Sequence, residues 1–248
     1  ILAVAMLLWG ASASADTLDF LKPFWMQMMD GVSNTASGKI PENVTVTCAD
    51  ERLTVEACGV LLENDYSAEA HVYAVLKNTG SERLPIRSVQ MTVLGANGNT
   101  LHQEDYVSYM PSVVEPGETM LVSEWMYDFV KEIGKVDSIQ ISVETASRVN
   151  EKWKQLGDVR AWLDGDYLCV EFTNTTEKTL FGVICAATVS DANGQILDMM
   201  MQSPYDTDDL GIAQGSSIVW RKRLEDAATL KIGTDAVCKA WAYRMEDL

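Results

Sequence analysis

The chain predicts an all-β protein built as two tandem β-sandwich domains, and three observations carry that prediction. First, the segment Asn78 to Leu101, NTGSERLPIRSVQMTVLGANGNTL, returns as Asn174 to Leu197, NTTEKTLFGVICAATVSDANGQIL, at one ungapped offset, 174 − 78 = 96. Second, long stretches alternate apolar and polar residues, the period-2 pattern of half-buried strands. Third, turn dipeptides such as Asn97-Gly98 and Pro116-Gly117 punctuate those stretches. A repeat this long, with a strand-like run between two turns, indicates two copies of one domain rather than a solenoid of short units.

Bulk properties agree. A length of 248 residues accommodates one or two domains, each large enough for its own core, and the repeat decides for two. With 47% hydrophobic and 22% charged residues the composition is that of a globular protein. The net charge of −17 repels phosphate backbones, which excludes nucleic acid as a partner and disfavours anionic membrane surfaces.

The N-terminal run ILAVAMLLW, Ile1 to Trp9, precedes Gly10 and the small residues Ala11 to Ala15, an A-x-A cleavage pattern before Asp16. Residues 1–15 therefore read as a secretory signal peptide lacking its basic n-region, and the mature chain is expected outside the cell. The run is far shorter than the roughly 20 apolar residues of a spanning helix, and no other segment predicts a transmembrane span. Residues 16–43 form an N-terminal segment and linker. Leu18, Phe20, Leu21, Phe24, Trp25, Met26, Met28 and Met29 crowd its first part, permitting a short helix broken near Pro23. That helix could pack on the first domain or dock on a partner; a single basic residue, Lys22, argues against a membrane-surface helix. Val32 to Asn43 is linker-like, rich in Ser, Asn, Gly and Pro.

The first domain, residues 44–147, opens with VTVTC and LTVEACGVLL. His71 to Leu76 is a strand running into the turn Asn78-Thr79-Gly80-Ser81, and Ile86 to Leu94 places Val89, Met91 and Val93 on one face. Asn97-Gly98 tolerates the positive φ of a tight hairpin. Pro116-Gly117 fits the centre of a type II turn before the strand Thr119 to Met126, and Ser138 to Glu144 is the last strand. Residues 148–158 are the connector; RVNEKWKQLG has helix-compatible composition, with Trp153 placed to pack between the domains. The second domain, residues 159–248, repeats the plan: strands at Arg160 to Leu163, Tyr167 to Phe172 and Val183 to Val189, a hairpin at Asn193-Gly194, and strands at Ser217 to Arg221 and Ala236 to Tyr243. Gln214-Gly215 stands where Pro116-Gly117 stood, at 215 − 117 = 98, so two residues were gained after the hairpin. Many short strands separated by turns predict a sandwich.

The string VYAVLKNTGSERLPIRSVQMTVLGANGNTL followed by EPGETM resembles the FxLYD type of immunoglobulin-like or fibronectin type III-like module found in secreted and surface proteins of bacteria. The signature stretch is Thr92-Val93-Leu94-Gly95 in one copy and Thr188-Val189-Ser190-Asp191 in the other. Asp191 keeps the family's acidic position and Gly95 does not. Gln214-Gly215-Ser216 replaces the P-G-E turn in the second copy. The resemblance implies an immunoglobulin-like scaffold at the bacterial cell exterior and brings no catalytic residues, since a scaffold does not dictate function.

The residues offer little chemistry of their own. His71 and His102 lie in no zinc-ligand spacing and are expected at the surface, and no mature segment carries a G-x-S-x-G elbow, a P-loop or a C-x-x-C pair. Of five cysteines, Cys48 with Cys58 and Cys169 with Cys185 are the disulfide candidates, against the alternative of free buried thiols. Asp206, Asp208 and Asp209, with Asp164 and Asp166, put hard oxygen ligands on loops and make calcium the one cofactor to test. Trp125, Trp153, Trp162, Trp220 and Trp241 serve either as core or as a sugar-stacking platform. The expected function is a secreted, non-catalytic interaction or spacer protein whose partner is a protein or a cell-surface glycan. The alternative is a carbohydrate-binding or calcium-binding accessory module. The two copies share turn chemistry and core alternation, so function is expected in what they do not share.

Overall fold

A computed structural model describes residues 44–63, 69–126, 133–147, 152–201, 211–224, 232 and 235–246. Residues 1–43, which carry the expected signal peptide, apolar segment and linker, lie outside them, as do Asp206, Asp208 and Asp209.

The described chain is nearly all β, arranged as sheets packed face to face. Its first half contains β1 (Thr45–Cys48), β2 (Leu53–Glu63), β3 (Glu69–Asn78), β4 (Leu84–Gly95), β5 (Thr100–Glu104), β6 (Ser108–Met110), β7 (Val113–Val114), β8 (Thr119–Met126) and, after a short 3-10 turn, β9 (Val136–Thr145). One sheet runs β1-β9-β4-β5 with β7 beside β4; the other runs β2-β3-β8-β6. Alternation in the sequence explains their packing. Val89, Met91 and Val93 of β4 turn inward with Ile139 and Ile141 of β9, and meet Val72, Ala74 and Leu76 of β3 from the facing sheet. Each of these valine, leucine, isoleucine and methionine side chains, removed from water, contributes roughly 1.5–3 kcal/mol.

The second half contains β10 (Lys152–Leu156), β11 (Val159–Asp164), β12 (Tyr167–Thr173), β13 (Val183–Ser190), β14 (Ile196–Met201), β15 (Ser217–Arg223) and β16 (Val237–Glu246). Its sheets are β10-β16-β13-β14 and β11-β12-β15, enclosing a second core around Leu168, Val170, Phe172, Val183, Cys185 and Trp220.

The two halves share their register. Ala74 pairs with Val122 and Val170 with Trp220; Thr92 pairs with Gln103 and Thr188 with Met199. Each second pair follows from the first by adding 96 before the two-residue gain and 98 after it. The turns are held by one device in both halves. Asn78 and Asn174 are fully buried. Asn78 Nδ2 donates to the carbonyls of Glu82 and Val114 at 2.9 and 3.0 Å, and Asn174 Nδ2 donates to those of Lys178 and Ile212 at 2.8 and 2.7 Å. The two side-chain carbonyls accept from Gly80 N and Thr176 N. A buried amide thus ties three chain segments together and satisfies backbone groups that would otherwise be orphaned.

The turn residues behave as their chemistry requires. Gly117 and Gly215 have φ of 83° and 73°, and Glu118 N to Glu115 O at 3.0 Å closes a four-residue turn around Pro116-Gly117. In the hairpins only the glycine is left-handed. Gly98 N bonds Gly95 O and Gly194 N bonds Asp191 O, so each turn begins at Gly95 or Asp191 and the following glycine takes the positive φ.

The connector departs from expectation. Lys152–Leu156 is a strand paired antiparallel with β16, from Lys152 opposite Glu246 to Leu156 opposite Ala242. Helix propensity in a run of Lys and Gln is worth only tenths of a kcal/mol per residue, and an open sheet edge offering a full ladder outweighs it. The expected position of Trp153 does appear, half-buried between the halves. There a third core is formed by Tyr73, Val75 and Leu121 of the first half with Ile184, Ala186, Ile196, Met199, Trp241 and Tyr243 of the second. Tyr243 donates to the Thr119 carbonyl across it at 2.9 Å, and burial pushes the Tyr243 phenol well above its ordinary pKa. Backbone approach is closest at Gly59, where a Cβ would stand 1.9 Å from the Ile196 carbonyl oxygen.

Candidate functional site: a groove over a buried polar network

Strand alternation builds the site. On β3 the even residues Val72, Ala74 and Leu76 enter the first core, so the odd residues Tyr73 and Val75 face the second half, and His71 shares their side of the strand. On β14, Met199 and Met201 pack into the junction while Met200 turns to the second core. Asp198, on β14 itself, is only 3% exposed. A buried carboxylate is costly unless several donors meet it. Three do: Lys222 Nζ at 2.6 Å, Met199 N at 2.7 Å and the Tyr73 hydroxyl at 3.2 Å. Lys222 Nζ also donates to the Met199 carbonyl at 3.1 Å.

The Tyr73 hydroxyl, which reaches Asp198, also meets His71 Nδ1 at 2.9 Å. The imidazole ring stands edge-on to Trp125 at 4.4 Å between centroids. Contrary to expectation His71 is not a simple surface residue: the second half covers the face of β3 on which it lies.

Above the network opens a groove of about 480 Å³. Its walls are His71, Glu124 and Trp125 from the first half and Met199 to Met201, Arg221 and Lys222 from the second. Burial raises the Glu124 carboxyl above the usual carboxylate range, against the Ser108 N–H donated to it at 3.0 Å, and nearby Glu104 raises it further. Arg221 pairs with Asp164 at 2.9 Å at the rim. Tyr106, two residues before Ser108, is 90% exposed.

The residues singled out from sequence are scattered. All five cysteines are free thiols. Cys48 and Cys58 pack against the same first core, and burial raises both. Cys185 lies in the second core and is pushed far up by burial, whereas Cys169 stands on the opposite face of its sheet, in register with Trp162 and Arg221. Asp164 is occupied by Arg221, and among the described residues no trio of His, Cys, Asp or Glu is grouped to hold a metal. Trp220 and Trp241 are buried, Trp125 and Trp153 are half-buried at the junction, and Trp162 lies beneath the Arg160 guanidinium, 5.2 Å from the ring centroid. None of these five indoles is exposed, so the coplanar exposed pair that sugar stacking requires is absent among the described residues.

Sequence reading missed Asp198, Tyr73, Lys222 and the three methionines. The signal was a difference between the copies. Asp198 occupies the place of His102, Met199 that of Gln103, and Lys222 that of Glu124, so two ionisable residues and one packing residue were exchanged at equivalent positions.

No family model matches the chain, and no curated protein matches it in sequence. Among solved structures, a red sea bream transglutaminase aligns over 79% of this chain and 29% of its own length, at 12% identity and a TM-score of 0.21. The secreted serine protease VesC from Vibrio cholerae aligns over 76% of this chain and 46% of its own, at 10% identity and a TM-score of 0.19. The chain spans less than half the length of either protein. At these scores neither likeness carries an argument about this chain.

Proposed function

We propose that the protein is a secreted, non-catalytic binding protein of two tandem immunoglobulin-like modules of FxLYD type, docked on each other through the third core, with the junction groove as its binding surface. The observation that carries this reading is the state of the groove's ionisable groups. Asp198 is met by Lys222, a backbone N–H and Tyr73, and Arg221 is matched by Asp164, so these charges are taken up by partners, Tyr73 alone reaching across from the first half. Beside His71 and Glu124 the groove presents an indole and methionine thioethers, with the exposed Tyr106 two residues from its wall at Ser108, and aromatic and methionine side chains are enriched where proteins bind partners. The repeated Asn78 and Asn174 ties support two copies of one module. The apolar leader before Asp16 supports export, and the charge of −17 favours a soluble chain that avoids nucleic acid.

The test is retention of partners from the producing cell's surface and medium on immobilised chain, using wild type beside Trp125→Ala and Arg221→Glu. A partner held by wild type and lost from both variants, each still folded, is the expected result. A partner held equally by all three would place binding elsewhere. Turnover of a substrate that survives purification and is abolished by Asp198→Asn would refute the non-catalytic reading.

A further inference from the structure

We infer that the chain binds a free α-amino acid with an apolar side chain, in a small pocket at the end of the third core beside the Asn193-Gly194 hairpin. The pocket lies along the junction from the groove, on other residues, and the inference does not depend on whether a macromolecular partner docks at the groove.

Strand alternation aims polar side chains into this pocket. On β13, Val183, Cys185, Ala187 and Val189 enter the second core while Ile184 and Ala186 face the junction, so Thr188 and Ser190 point to the junction too. On β16, Trp241 and Tyr243 face the junction, and Lys239 shares their side. Together with Ala57 and Val75 of the facing sheet they surround about 190 Å³. Thr188 is 1% and Ser190 8% exposed, yet neither hydroxyl has a hydrogen-bond partner among the described residues. Buried hydroxyls normally find one. Lys239, exposed at the mouth, likewise has no ion pair among the described residues.

The first copy shows that packing did not select these hydroxyls. On the face that the junction covers, Ser88, Gln90, Ser142 and Glu144 of the first half are matched by Ile184, Ala186, Trp241 and Tyr243. Burial explains that direction of change. At the pocket the direction reverses: Leu94, half-buried in the first half, is matched by the buried Ser190, and half-buried Thr92 by the buried Thr188. A hydroxyl taken out of water without a partner costs free energy, so these two are explained by something that bonds them.

The donor set defines that ligand. Two hydroxyls and an ammonium suit a carboxylate. Glu56, which lines the pocket from β2 and pairs with Lys77 through Oε1 at 3.2 Å, has lone pairs left for an ammonium. Asp191, also on the wall, is engaged by the hairpin amides of Asn193 and Gln195. Ala57, Val75 and Trp241 supply an apolar floor. Both signs of charge over such a floor describe a zwitterion with an apolar side chain. Pockets for drug-sized ligands run to about 300–1,000 Å³, and this smaller one suits a molecule of amino-acid size.

The experiment is isothermal titration of the full chain with L-valine, L-leucine and L-phenylalanine. The amide of the one that binds best, which lacks the carboxylate, and its deaminated acid, which lacks the ammonium, are titrated beside it. Wild type is compared with Ser190→Leu and Lys239→Gln, which install the first half's residues, with Thr188→Val, which conserves shape, and with Glu56→Gln. Thermal unfolding checks that each variant is folded; Lys239 and Glu56 are exposed, so those two variants keep the test open if Ser190→Leu fails to fold. Expected is one saturable site for at least one of the three amino acids, weakened about 10-fold or more in each folded variant, as loss of a hydrogen bond to a charged group produces. Both analogues are expected to bind more weakly than the parent. No saturable binding of any of the three at millimolar concentration would leave the pocket to water and overturn the inference. So would affinity unchanged in Ser190→Leu or Lys239→Gln, or affinity unchanged by removal of the carboxylate or the ammonium.

Discussion

Replacing Gly59 by alanine probes the junction at its tightest point. The added Cβ would lie 1.9 Å from the Ile196 carbonyl oxygen, 2.8 Å from its carbonyl carbon and 3.1 Å from its Cα. All three are backbone atoms, so no rotamer change relieves the contact. Restoring a 3.4 Å contact requires β2 and β14 to separate by about 3.4 − 1.9 = 1.5 Å. A radial gap of 0.5–1 Å already forfeits a quarter to a half of each dispersion well, so the neighbouring packing of Ile196 and Val75 would loosen. Overpacking of this kind costs about 1–3 kcal/mol. The opposing effect is known in sign: Gly59 is not in the left-handed region, so alanine restricts the unfolded chain and by itself stabilises by about 0.4–1 kcal/mol. The net is a loss of about 1–2 kcal/mol, or roughly 2–8 °C in Tm for a chain of this size. Thermal unfolding followed by circular dichroism reads it, with Gly157→Ala as control because nothing lies within 4 Å of a Cβ there. The control should hold or raise Tm. If Gly59→Ala also raises Tm, the close approach is not present and the reasoning fails.

Two further expectations concern the halves and the groove. Asn78→Ala and Asn174→Ala should each destabilise by about 2–4 kcal/mol, because each leaves buried carbonyls without their donor, and urea midpoints should fall by similar amounts in both. A large loss in one and none in the other would break the equivalence of the two ties. For Glu124 the folded-state carboxyl is raised by burial, so its contribution to stability is fully present below the unfolded pKa and is lost as pH rises through the folded value. Glu124→Gln should therefore equal or exceed wild type in urea stability at pH 7, with the advantage vanishing near pH 3.5; a variant less stable at pH 7 would contradict the sign.

Much of the scaffold was legible because it is written in local chemistry. Pro116-Gly117 and Gln214-Gly215 announce their turns through the left-handed glycine each requires, and the strand expected after the first, Thr119–Met126, has those bounds. The repeat also foretold the two-residue gain that the strand registers display. The connector was misread because Lys152–Leu156 takes its conformation from the edge of β16, a partner 90 residues away in the chain. The groove was not legible for the same kind of reason. Asp198 sits among hydrophobic residues in ILDMMM, and nothing local says that Lys222, Tyr73 and His71 converge on it. Only the exchange of His102 for Asp198 and of Glu124 for Lys222 between equivalent positions hinted that the second copy had acquired something.

The union of the two halves through the third core underlies both the groove and the roles proposed for it. Differential scanning calorimetry of the intact chain tests it most directly. One cooperative transition, with calorimetric and van't Hoff enthalpies in agreement, is expected if Tyr73, Ile196, Trp241 and Tyr243 pack as one interface. Two resolved transitions, with the first insensitive to Gly59→Ala, would show halves that fold and melt independently and would contradict it.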